Sequence, residues 1–141
     1  SPKKDRRKRY DWNQIDQQRL PVVRETISKL QATERPQRIT VGLVERCLGL
    51  SKRGLRQCPL CLAEIQKHCE SQEMYWAREI IWAVKKSIGN NTPLNVTRIL
   101  HLTNLRKRNL SACLPYLEQI SSAENSNYAS TALSLFHEAN L

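Results

Sequence analysis

Met74, Ala77, Ile81, Val84 and Ile88 stand at intervals of 3, 4, 3 and 4, which lays one unbroken apolar stripe along a helix of about 3.6 residues per turn. The stripe predicts a helix from about Gln72 to Ile88, closed by Gly89, with Trp76 and Trp82 as core residues. Only four glycines and few runs of β-branched residues occur in the 141-residue chain, so the remainder also favours helix over strand. Apolar residues make up 40% and aromatic residues 6%, enough for a mainly aliphatic core. The expected fold class is all-α, a helical domain with two helix-turn-helix-like units joined by the long central helix.

Asp11 suits the N-cap of a first helix carrying Trp12, Ile15, Leu20, Val23, Ile27 and Leu30, kinked or restarted at Pro21. Residues 33–38 read as a loop. Thr40 caps a short helix with Val41, Val44 and Leu48, and Gly49 suits the left-handed residue at its end. Ser51 then caps a second helix, Lys52 to Gln57, which Pro59 stops. Leu62 to Cys69 forms another short helix. Thr92-Pro93 opens a further helix that turns at residues 101–103 into Leu105-Arg106-Lys107-Arg108. Thr40 through Leu48-Gly49-Leu50-Ser51 matches Asn95 through Leu100-His101-Leu102-Thr103, one helical turn shorter, a candidate internal duplication. Residues 115–120 make a short helix. The expected division is 1–9 as a basic disordered arm, 10–70 as the first unit, 71–120 as the long helix and second unit, and 121–141 as an amphipathic tail.

Charge adds a function to this outline. The formal net charge is +10, and it is clustered. Lys3, Lys4, Arg6, Arg7, Lys8 and Arg9 stand against Asp5 alone. Arg35, Arg38, Arg46, Lys52, Arg53 and Arg56 stand against Glu45 alone, and Arg98, Arg106, Lys107 and Arg108 face no acid. From Leu110 onward there is no Lys or Arg. Such clusters suit a phosphate backbone, the bland alternative being solvated basic faces.

In a helix-turn-helix the first residues of the second helix reach base edges. Arg53, Arg56 and Gln57 in the first unit, and Arg106, Arg108 and Asn109 in the second, are therefore the expected readers, because Arg suits guanine and Asn or Gln suits adenine. Lys3, Lys4, Arg6, Arg7, Lys8, Arg9, Arg38, Thr40, Ser51, Lys52, Thr103 and Lys107 are the expected phosphate or arm contacts. The arm suits a minor groove or phosphate track.

Five cysteines invite a zinc reading through Cys58-Pro-Leu-Cys61 near His68 and Cys69. A lone CxxC is half a site, His68 and Cys69 are adjacent, and Cys69 continues an apolar stripe, so the thiols read as structural and no metal or cofactor is expected. No phosphate loop, nucleophile motif or paired metal-binding His is present, and the acids are too scattered for a metal-dependent nuclease. An enzyme is not expected. No run approaches the roughly 18 apolar residues of a membrane span, and an odd number of cysteines suits reduced thiols in a cytosol, so a soluble, cytoplasmic protein with no membrane partner is expected, nucleoid-associated as the DNA-binding reading implies.

Tyr10-Asp11-Trp12-Asn13-Gln14-Ile15-Asp16 resembles the D-W-x-x-x-D opening of the C-terminal region of TnsD, a family of TniQ-related target selectors of bacterial cut-and-paste transposons. Arg38-Ile39-Thr40 with Leu48-Gly49-Leu50 is similar to that region's R-I-T…L-G-L, and Trp82-Ala83 to its W-A. Thr92-Pro93, Arg98-Ile99-Leu100 and Leu105-Arg106 resemble its second unit. The likeness spans about Tyr10 to Arg106. It departs at Ile15, at Pro21, and at Cys58-Pro59-Leu60-Cys61, where the family tends to show Leu, Pro and a capping Thr. The resemblance implies a module that recognises a fixed chromosomal attachment site in double-stranded DNA. It also implies recruitment of an AAA+ regulator and, through it, transposase subunits. The rival expectations are a basic protein-interaction module and an RNA-binding fragment, the latter poorly supplied with stacking aromatics.

Overall fold

Asp11, extended before Trp12, accepts a hydrogen bond from the Gln14 N–H at 3.2 Å and starts the first helix. In the computed structural model, which describes residues 9–124 and 126–141, helices account for all the regular structure and the described residues contain no strand. The fold is all-α. The elements are α1 (Trp12–Gln31), α2 (Val41–Cys47), α3 (Pro59–His68), α4 (Gln72–Gly89), α5 (Val96–Thr103), α6 (Lys107–Glu124) and α7 (Asn127–Glu138). They form two compact units. Of the described residues, unit 1 holds 9–32 and Ile39–Cys69, and unit 2 holds Thr33–Arg38 and those from Glu70 to Leu141.

In unit 1, α1 packs on α2 and α3 around fully buried Val23, Val44, Leu55 and Ile65. The helix does not restart at Pro21. That proline is solvent-exposed, as is Gln17, so the carbonyl released one turn earlier can be solvated. Below it, Asp16 is 2% exposed and accepts the N–H groups of Leu60 (2.8 Å) and Cys61 (3.0 Å), fastening the start of α3 to α1.

The expected helix Lys52 to Gln57 is absent. Those residues form overlapping four-residue turns, with the Gly54 N–H donating to the Ser51 carbonyl, Arg56 N–H to that of Arg53 and Cys58 N–H to that of Leu55. Two side chains hold the turns. Buried Glu45 accepts from the N–H groups of Arg53 (3.3 Å) and Leu55 (3.1 Å), and Arg19 donates to the Gly54 carbonyl at 3.2 Å. These bonds occupy the Leu55 N–H and the Gly54 carbonyl, which a helix over 52–57 would turn to its own backbone. Gly54 is required there, because an added Cβ would lie 2.7 Å from Leu50 Cβ and 2.9 Å from the Ser51 carbonyl oxygen. Ser51 thus caps no helix, and Pro59 starts α3 as its first residue rather than stopping its predecessor.

In unit 2, α4 is the central element and packs against α5, α6 and α7. It therefore belongs to this unit and does not serve as a connector between two others. Its buried face runs through Ala77, Ile80, Ala83, Val84 and Ser87, while Ile88 is 48% exposed and Met74 and Ile81 are half-buried. Three packing partners widen the buried arc beyond the stripe that spacing alone selects. Trp76 and Trp82 pack against this core as expected.

Thr92-Pro93 opens no helix. Thr92 N–H bonds to Ser87 O and Asn91 N–H to Ile88 O, with Asn91 left-handed, so these residues close α4. Asn95, accepting from Arg98 N–H at 2.8 Å, caps α5 instead. The turn lies at residues 104–106, not 101–103, and α6 continues through Pro115 to Glu124. Pro115 and Ser111 are both exposed, the same accommodation as at Pro21. Residues 127–138 are no tail: Ala129, Ala132 and Phe136 are fully buried in the core.

Burial pushes the Asp16 carboxyl up, but the Leu60 and Cys61 hydrogen bonds outweigh it and hold its pKa below the ordinary aspartate value. A carboxyl lowered by folding stabilises above its unfolded pKa, and that stabilisation is lost as pH falls through the folded value. Asp16→Asn is expected to cost unit 1 about 1–2 kcal/mol at neutral pH. In urea unfolding, its deficit against wild type should shrink as pH drops below about 4. A deficit that stays constant in acid would show that the charge is not what stabilises.

Candidate nucleic-acid interface

The cations divide by what holds them. In unit 1, Arg24 bonds Glu64 (3.1 Å), Arg19 bonds Gly54, and Lys29 pairs with Glu25. In unit 2, Arg35 clasps Glu79 through two nitrogens at 2.9 and 3.0 Å and stacks 4.5 Å over Trp82. Glu79 pulls the Arg35 pKa above its ordinary value. Arg78 is tied to Glu70, Arg38 reaches the Glu70 carbonyl at 3.4 Å, and Lys86 meets Glu34. The second basic cluster is thus partly structural, and Arg38 holds a loop as well as facing solvent.

The exposed cations without a side-chain bond or ion pair include Arg46, Lys52, Arg53 and Arg56 in unit 1, and Lys85, Arg106, Lys107 and Arg108 in unit 2. Lys52, Arg53 and Arg56 line one groove of about 510 Å³ with Val41, Gly42, Glu45 and Leu62. Within residues 39–69 the two carboxylates, Glu45 and Glu64, are 5% and 9% exposed, and both are engaged in hydrogen bonds. The surface of this segment is therefore neutral or positive.

Residues 40–65 of unit 1 and 95–120 of unit 2 repeat one another at a constant offset of 55 residues. Caps Thr40 and Asn95, buried Val44 and Ile99, left-handed Gly49 and Asn104, and buried Leu55 and Leu110 all correspond. So do buried Cys58 and Cys113, and Ile65 and Ile120. The left-handed residue follows the cap by nine positions in both, so the sequence match set one turn short has the wrong register. In the correct one, Lys52-Arg53 coincides with Lys107-Arg108, and both pairs are exposed. The position of Glu45 is taken in unit 2 by Leu100, which offers no carboxylate to capture the following N–H groups, and there the basic pair opens a regular helix.

Of the remaining expected contacts, Gln57 is exposed on the turn. Asn109 is half-buried, and its side-chain oxygen accepts from the Arg106 N–H at 2.9 Å, capping α6. Thr103 is 5% exposed, donates to Ile99 O and accepts from Leu105 N–H, so it is a turn residue with no hydroxyl facing a phosphate. Thr40 spends its hydroxyl oxygen on the Leu43 N–H at 3.1 Å. Ser51, Lys52 and Arg9 are exposed. Lys3, Lys4, Arg6, Arg7 and Lys8 lie outside the described residues.

Asp16, Cys58 and Cys61 bring donor atoms within 4.8 Å of one another. The cluster does not fit a metal. Both carboxylate oxygens accept backbone N–H groups, Arg19 Nη1 lies 3.7 Å from Cys58 Sγ, and no fourth ligand joins the group among the described residues. Burial, followed by the nearby Asp16, pushes the Cys61 thiol up to about 12. No helix of the described residues is long and apolar enough to cross a membrane. Comparisons with protein-family models, curated proteins and solved structures find no match.

Removing a structural and a free arginine should have opposite signatures. Arg35→Ala leaves Glu79 buried with only the Tyr75 hydroxyl at 3.2 Å, and should cost about 1–3 kcal/mol, less than a fully buried pair because the guanidinium is half exposed. Arg53→Ala should change stability by less than about 0.5 kcal/mol. Thermal unfolding of both variants checks the division.

Proposed function

We propose that the chain is a sequence-specific double-stranded DNA-binding module without enzymatic activity. In this reading it selects a chromosomal attachment site for transposon insertion and helps recruit an AAA+ regulator and transposase. One observation carries the DNA-binding part. An exposed Lys-Arg pair, free of internal partners, recurs at the same register of both units, in unit 1 beside carboxylates that are turned inward. A repeated, uncompensated cation pair is suited to a repeated anion, and the phosphates of a duplex are such a repeat. The finer part of the reading, the attachment site and its machinery, rests on the resemblance to TnsD.

The two units take different roles. In unit 2, Arg106 and Arg108 stand at the start of an 18-residue helix, where side chains can enter a major groove and take guanine. In unit 1, Lys52, Arg53 and Arg56 stand on turns instead of a helix, and are assigned to backbone phosphates.

Selection from a random duplex pool, followed by binding of the recovered sequence over a salt series, tests this. Lys52→Ala with Arg53→Ala should weaken binding on all sequences alike and flatten the slope of log affinity against log salt by about 2. Arg108→Ala should cost about 1–3 kcal/mol and relax preference at particular base pairs. Recovery of no preferred duplex, or competition by polyglutamate or RNA as effective as by the selected duplex, would overturn the reading.

A further inference from the structure

Gly42 stands on the wall of the groove in unit 1 and leaves space there. A Cβ built on it would meet, beyond its own stretch of helix, only Arg46 Nη1 at 3.7 Å. Arg53, on the same groove, is held left-handed at φ 64°, with its N–H bonded to Glu45 at 3.3 Å. That conformation is unfavourable for a residue bearing a Cβ, and such positions gather at ligand sites. Lys52, Arg53 and Arg56 line the space and Arg46 reaches Gly42, all four exposed and without a side-chain hydrogen bond or ion pair. Glu45, the acid on the lining, is 5% exposed and accepts the N–H groups of Arg53 and Leu55. Val41 and Leu62 supply apolar wall.

The volume of about 510 Å³ lies within the range of small-ligand sites, roughly 300–1,000 Å³. A duplex presents singly charged phosphates spread along its strands. Four free cations around one concave space suit instead several charges on adjoining groups, and the apolar wall suits a ring attached to them. Arginine is fitted to such groups, because it holds phosphate oxygens through paired N–H donors. The set is particular to unit 1, since Gly42, Arg46 and Arg56 are replaced 55 positions on by Thr97, His101 and Ser111. We propose that the groove binds a nucleoside polyphosphate, with its phosphates on Lys52, Arg53 and Arg56 and its base or sugar against Val41 and Leu62. The site goes beyond the DNA-binding reading and requires no duplex.

Calorimetric titration of the full chain with ATP, and separately with tripolyphosphate, in metal-free buffer at physiological ionic strength tests this. One ATP should bind per chain, at least about fourfold more tightly than tripolyphosphate, the factor for burying one methylene equivalent of the attached nucleoside. Arg53→Gly removes the guanidinium and relieves the left-handed backbone, so it should melt no lower than wild type and yet bind ATP about tenfold more weakly. Gly42→Leu, whose Cβ makes only an ordinary contact with Arg46, should keep the fold and weaken ATP binding to a similar degree by filling the open wall. Lys107→Ala with Arg108→Ala, the equivalent pair of unit 2, should leave ATP binding unchanged. No binding of ATP, tripolyphosphate held as tightly as ATP, an equal loss in the unit 2 variant, or wild-type affinity in a folded Arg53→Gly or Gly42→Leu overturns the proposal. None of these outcomes touches duplex selection, and failure to select a duplex while ATP binds as expected overturns the DNA reading and leaves this site.

Discussion

Among the described residues four carboxylates are buried, and each is satisfied from within its own unit. Asp16 holds the first N–H groups of α3, Glu45 holds the turn at Arg53 and Leu55, Glu64 takes Arg24, and Glu79 takes Arg35. A buried carboxylate without such donors would be strongly unfavourable, so the segments that supply them are fixed in place. Turning these acids inward also sorts the surface. Acids that could have neutralised neighbouring cations are occupied with backbone N–H groups and with Arg24 and Arg35, and cations such as Lys52, Arg53, Lys107 and Arg108 are left exposed without a side-chain ion pair.

Glu45 has the largest consequence. It sits where unit 2 has Leu100, and by capturing two N–H groups it goes with turns where unit 2 has the first turns of α6. The same plan, capped short helix, left-handed residue and basic pair, therefore ends in two different presentations. In one, Lys52-Arg53 lies on a pinned turn, and the next helix begins only at Pro59. In the other, Lys107-Arg108 begins a long helix directly.

Much of the local structure was legible in the sequence, because it rests on local rules. The caps Asp11 and Thr40, left-handed Gly49, and the extent of α4 follow from residue type and spacing. The unreadable parts depend on contacts distant in sequence. Nothing local to 52–57 reveals that Glu45 and Arg19 will take its backbone groups, and nothing local to Pro21 or Pro115 says that the freed carbonyls will face water. Residues 127–138 looked like a tail because their buried positions are mostly alanines, small enough to pass as surface until Phe136 is seen in the core. For the candidate site, composition marked the basic clusters but did not separate Arg35, held by Glu79, from Arg53 and Arg108, which no acid holds. The constant 55-residue offset was a signal present in the sequence. It was obscured by aligning Gly49 with His101 because of the flanking leucines, when the residue that shares its backbone conformation is Asn104.

The central claim is that two equivalent basic segments, one in each unit, meet DNA. Titration of isotopically labelled protein with the selected duplex, followed by amide chemical-shift mapping, tests it most directly. The account predicts two separate sets of perturbed amides, around 49–57 with the start of α3 and around 104–112, with the Arg35–Glu79–Trp82 cluster unaffected. Perturbations confined to one unit, or centred on that cluster, would contradict it.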